Sequence, residues 1–174
     1  MIHALLAFAF VLPIPLFGRR GGERTDEAAL KQLRMAFEAM DVVVVSDHPR
    51  CREPNLYGLY VRGSHQVVVC PRGDQSSTLR HEGWHLVQSL CLNNRRWLSR
   101  ETIEQQLTRT DRTELQVLVA PDRWWREAEA RVVANLKVNA YLDELKRACT
   151  SKESELQTPR VQPATTNNNA HNPI

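Results

Sequence analysis

Residues 78–88, TLRHEGWHLVQ, place two histidines four positions apart in a run that is apolar on both flanks. Side chains four apart lie one above the other on a helix face. The stretch is therefore expected to be a core helix, from about Ser76 to Cys91. Before it, RGDQSS offers Asp74, Ser76 or Ser77 as a cap; after it, NNRRW supplies a stop, because asparagine often ends helices. Two histidines and a glutamate grouped on such a helix need partners, since unpaired polar groups are costly to bury.

The surrounding chain suggests what packs on that helix. Over 25–40, Leu30, Leu33, Phe37 and Met40 recur at three- and four-residue intervals, which predicts an amphipathic helix. DVVVVSD is a short β-branched run bounded by polar residues and reads as a buried strand. In NLYGLYVRGSHQVVVCPR, two β-prone runs flank Arg62-Gly63-Ser64-His65, a hairpin with glycine in the turn and Pro71 ending the second strand. Helices are expected after Ser99 and over 111–118. A single long helix is expected to open at Pro121-Asp122 and end near Cys149. Helix, three strands, then helices is an α+β order, with a three-stranded antiparallel sheet packed on the histidine helix and the later long helix.

A helix of this kind brings His81 and His85 close enough to share one metal ion. Glu82 points about 100° away, beside the ion, where it can accept a proton from water. A zinc site needs a third protein ligand. His3 belongs to the N-terminal apolar run, His171 to the C-terminal tail, and His48 and His65 to turns. WWREAEARVVAN offers Glu127 and Glu129, which face opposite ways. The Glu127 side (Ala130, Ala134, Val138, Tyr141, Leu145) stays apolar longer than the Glu129 side, which reaches Asp143 and Arg147. That favours Glu127, with Glu129 the alternative; as plain helix chemistry, both are favourable charges at a helix N-terminus.

LRHEGWH together with EAEARVVA resembles the small gluzincin zinc metallopeptidases. It is also similar to ImmA/IrrE-type regulatory proteases, whose second motif is E-x-x-A-N-x-x-A. Glu127, Ala130 and Ala134 match that pattern, and Arg131 stands where Asn or Asp is usual. The resemblance covers about residues 41–145, and its specific part is HExxH. It implies a minimal zincin-like domain over 23–149, zinc held by His81, His85 and Glu127, and Glu82 as general base in peptide-bond hydrolysis. It further implies that the strand before the active helix is a sheet edge on which an extended peptide pairs. That reading makes Val67, Val68 and Val69 substrate-binding residues. Tyr57, Tyr60, His65 and Arg131 are candidates to steady the oxyanion. The alternative function is an inactive zinc-binding or protein-interaction module on the same scaffold.

At 174 residues the chain suits one domain, and a net charge of +3 with scattered cations points away from nucleic acid. The expected partner is a peptide or protein, met by a monomer. Residues 2–17 are almost wholly apolar, but Pro13 and Pro15 interrupt the run, and it is shorter than the roughly 20 residues that span a bilayer. Residues 1–22 read as a signal peptide or membrane anchor. Export would make the protein secreted or periplasmic, with membrane association if the segment is retained; without export it would be cytoplasmic. The four cysteines include no C-x-x-C pair. In an oxidising compartment they would form two disulfides, with three pairings open. Hairpin geometry favours Cys51 with Cys70, and helix ends favour Cys91 with Cys149. Residues 150–174, polar and with almost nothing to bury, are expected to be disordered.

Overall fold

The computed structural model describes residues 20–157, with side chains described from 26 to 150. The apolar leader up to residue 19 and the tail beyond 157 lie outside the described residues. The elements run α1 (Arg20–Glu38), β1 (Val43–Val45), β2 (Gly58–Tyr60), β3 (Gln66–Val69), α2 (Gln75–Leu90), α3 (Arg100–Gln106), α4 (Arg109–Leu118), α5 (Trp124–Ala134) and α6 (Val138–Gln157). The class is α+β, as expected. No described helix is long and apolar enough to cross a membrane.

The sheet is mixed, not antiparallel. Its order is β1-β3-β2, with β1 parallel and β2 antiparallel to β3. β3 is thus the central strand. Both its edges are paired, and Val67, Val68 and Val69 are fully buried. These valines therefore offer no free edge to a substrate, which corrects the expectation drawn from the resemblance. A continuous β-branched run is what a strand covered on both sides carries. DVVVVSD, expected to be buried, supplies an edge strand instead, and Val43 is 60% exposed.

α2 is the hub. Asp74 caps it, accepting from Ser77 N at 2.8 Å, and Asn93 and Asn94, both with positive φ, end the stretch. Phe37 of α1 lies against Gly83, so that an added Cβ at Gly83 would fall 2.1 Å from the Phe37 Cζ. Gly58 plays the same part for β2, where a Cβ would fall 2.5 Å from Thr78 Cγ2 and 2.7 Å from Val68 O. Trp84 is fully buried, its ring 6.1 Å from that of Tyr141.

The expected single C-terminal helix is two. Pro121–Arg123 is a short 3₁₀ turn, α5 ends at Ala134, and α6 begins at Val138. At the break, Leu136 N donates to Val133 O and the Arg80 guanidinium donates to Leu136 O. The bend lets Tyr141, Leu145 and Ala148 of α6 enter the same core as Leu33, Phe37 and Trp84. α6 continues past Cys149 to Gln157, so the first part of the expected disordered tail is helical.

Both expected disulfides are present: Cys51–Cys70 and Cys91–Cys149, spanning 19 and 58 positions. Loop closures of those lengths stabilise by about 3 and 4 kcal/mol in the chain-entropy account. The second ties the end of α2 to α6. Two such bonds suit an oxidising, extracellular-type compartment.

Gly83→Ala is expected to destabilise the protein. The overpacking against a fully buried Phe37 outweighs the roughly 1 kcal/mol that alanine gains in a helix. Urea unfolding should show a net loss of about 1 kcal/mol; an unchanged or raised midpoint would contradict the packing described.

Candidate metal centre

Ala130 falls in the arc between Glu127 and Glu129 on α5, since successive residues turn by 100°. Ala130, Val133 and Ala134 are buried, and the small side chains bring α5 close against α2. The two glutamates straddle this contact line, one on each side. The comparison of an apolar and a polar face does not describe α5, which is buried on both: Ala130 and Val133 join the main core, Ala128 and Val132 a second one.

Glu127 reaches both histidines. Its Oε2 lies 3.5 Å from His81 Nε2 and its Oε1 lies 3.3 Å from His85 Nε2. One ligand atom from each of the three residues lies within 4.8 Å of the others, a group that can hold a metal ion. Ligand bonds of about 2.05 Å at tetrahedral angles put neighbouring donor atoms about 3.4 Å apart. Each histidine has a different Glu127 oxygen near that spacing, at 3.5 and 3.3 Å.

Glu129, the alternative, is committed elsewhere. Fully buried, its carboxylate accepts four hydrogen bonds: from Trp84 Nε1 at 3.2 Å, Gln88 Nε2 at 2.8 Å, Trp97 N at 2.7 Å and Leu98 N at 2.8 Å. It is a strut and has no lone pair directed at the histidines. Gln88 links it to the cluster. Because Gln88 Nε2 donates to Glu129 and to Arg126 O, its Oε1 is left to accept from His85 Nδ1, at 2.9 Å. The proton is thereby fixed on Nδ1 and the lone pair of Nε2 is aimed at the Glu127 side, the tautomer a metal needs. Arg126 donates to His85 O at 3.0 Å and braces the same turn. Sequence reasoning singled out neither Gln88 nor Arg126. The available signal was Gln88, an amide three residues past His85 among Leu86, Val87 and Leu90.

Glu82 does not belong to the cluster. Its Oε2 accepts from Tyr60 N at 2.9 Å. Val61 N donates to Gln66 O and Cys70 N donates to Tyr57 O, so alternate residues of β2 face β3. Gly58 and Tyr60 turn their main-chain groups to the outer side of β2, away from β3. A cleft of about 410 Å³ opens there, lined by Tyr57, Gly58, His81, Glu82, Arg131 and Asn135. Of the other residues considered for the oxyanion, Tyr60 uses its hydroxyl to accept from Gly63 N, and His65 is exposed in the hairpin turn. Trp124 and Trp125 line a different cavity.

No protein-family model, curated protein or solved structure matches the chain.

Burial opposes charge on Glu127, but its hydrogen bonds to His81 and His85 outweigh this and hold its carboxyl well below the usual range. Burial also opposes charge on His85, yet the hydrogen bond and charge of Glu127 raise its pKa. A raised histidine stabilises fully below its unfolded value and loses that contribution as pH rises through the folded one. A depressed carboxylate stabilises above its unfolded value and loses it as pH falls. The metal-free pair therefore contributes fully between about pH 4.5 and 6.5. A metal ion requires unprotonated imidazoles, so its binding strengthens as pH rises. With a chelator present, the stability advantage of wild type over Glu127→Gln is expected to shrink from pH 6 to pH 8. With saturating zinc it should grow. Urea midpoints at the two pH values check this, and a chelated advantage that rises with pH would contradict the pairing.

Proposed function

We propose that the protein is a zinc-dependent peptidase of the HExxH type, with a gluzincin-like ligand set of His81, His85 and Glu127. The observation that carries this reading is the placement of the Glu127 oxygens at 3.5 and 3.3 Å from the two Nε2 atoms. Zinc fits this mixed nitrogen and oxygen donor set, and three protein ligands leave the fourth position open for catalysis. Bound there, zinc supplies Lewis acidity that lowers the pKa of water towards about 7 and polarises a carbonyl.

The residues divide the remaining work. Glu82 lines the cleft beside His81 and is the one carboxylate there outside the ligand set and outside the Asp111 salt bridge. It accepts the proton of the attacking water and passes it to the leaving amine. The substrate strand is β2, not β3. Its outer N–H and C=O groups at Gly58 and Tyr60 can pair with an extended peptide. A peptide carbonyl arriving there takes over the Tyr60 N–H and releases Glu82 to turn towards the ligand cluster. Gln88 and Glu129 hold His85 in the binding tautomer throughout. The two disulfides support an oxidising, extracellular-type setting for this activity, which fits a secreted or periplasmic enzyme.

Zinc-loaded wild type, given a pool of fluorogenic peptides, is expected to cleave some of them. Glu82→Gln should keep its zinc and lose about 10²–10⁴-fold in kcat. A wild type that binds zinc and cleaves nothing, or a Glu82→Gln enzyme of undiminished rate, contradicts the proposal.

A further inference from the structure

Trp124, Ala128 and Val132 recur every four residues on α5 and pack with Ile103, Leu107 and Leu115. This second core stops short at its outer end, where Pro121 turns the chain from α4 into α5. A cavity of about 450 Å³ lies there, walled by Ile103, Leu115, Val119, Pro121, Trp124 and Trp125. Ile103 and Leu115 are fully buried, whereas both indoles are only half-buried. Val117 and Leu118, the two residues before Val119, are 76% and 72% exposed and extend the apolar surface outward. None of these residues lines the cleft of His81 and Glu82, so the cavity is a site of its own.

The wall selects the body of a ligand. The N–H groups of Ile103, Val119 and Trp124 donate within their own turns, to Ser99, Leu115 and Pro121, and Pro121 has none. An extended peptide finds no main-chain donor in these four residues. A sugar or nucleobase would strand polar groups against the aliphatic side chains. An alkyl chain has no polar group to leave unpaired, and burial drives it in. The charged lining selects the head. Arg100 is paired with Glu104, its Nε donating to Oε1 at 2.7 Å. Arg96 makes no hydrogen bond or salt bridge among the described residues, and Glu101, the other carboxylate of α3, does not line the cavity. One cation is left over, and its planar guanidinium can receive both oxygens of a carboxylate.

We propose that this cavity binds a single-chain amphiphilic anion, with the alkyl chain against Ile103, Trp124 and Trp125 and the carboxylate on Arg96. The assignment does not depend on the peptidase reading.

Dodecanoate, kept below its critical micelle concentration, is the probe, with Kd on the full chain read by calorimetry. The wild type is expected to bind it saturably and to bind octanoate, four methylenes shorter, at least about tenfold more weakly. Dodecyltrimethylammonium, with the same chain and the opposite charge, should bind about fivefold more weakly than dodecanoate. Trp125→Ala removes one wall and should weaken dodecanoate about tenfold. Arg96→Gln, at an exposed side chain, should weaken dodecanoate about fivefold and abolish the preference for the anion. No saturable binding by the wild type, or an affinity for dodecanoate that either variant leaves unchanged, would overturn the proposal. A protein that sediments with phosphatidylglycerol vesicles but ignores monomeric dodecanoate would overturn it as well.

Discussion

The buried carboxylate of Glu129 is the interaction on which the rest of the molecule depends. A charge with no exposure to water persists only if its lone pairs are filled, and four N–H groups from two parts of the chain fill them. Trp84 and Gln88 belong to α2, and Trp97 and Leu98 to the segment leading into α3. Satisfying them sets the rotation of α5 against α2. With that rotation set, Glu127 emerges on the other side of the contact line, facing His81 and His85. One glutamate holds the helices together so that the other can act as a ligand.

α2 is built to be approached closely. Gly83 admits Phe37 from α1, Gly58 lets β2 come down beside Thr78 and Glu82, and Ala130 and Ala134 admit α5. The Cys91–Cys149 bond then fastens its end to α6. The glycine inside HEGWH therefore answers to packing, while the residues around it answer to chemistry. Its neighbours His81 and Glu82 face the cleft, and Trp84 faces the core.

Much of this was legible in the sequence where the signal is local. The helix around HEGWH shows in its apolar period and its caps, and the hairpin shows in Gly63. Of the three cysteine pairings left open, the one favoured by where strands and helices end is the one present. What failed was non-local. β1 pairs with β3 across the intervening hairpin strand, so the order of the sheet cannot be read from the order of the chain. The unbroken QVVV run was a clue, since a strand covered on both sides has no reason to alternate. The break between α5 and α6 carries neither Gly nor Pro and is fixed by packing of Tyr141 and by Arg80 on Leu136 O. Glu127 was preferred over Glu129 by a face argument that α5, buried on both sides, does not obey. The preference agrees with the geometry because Glu129 is consumed by donors 31–45 positions away in sequence.

The central claim is that His81, His85 and Glu127 form one metal site while Glu129 does structural work. Zinc content per chain, by elemental analysis of protein never exposed to chelator, tests it most directly. About one zinc is expected in the wild type and almost none in Glu127→Ala, which should remain folded because Glu127 is partly exposed and the buried hydrogen bonds from α5 to α2 are made by Glu129. No zinc in the wild type, or a full complement in folded Glu127→Ala, would contradict the account.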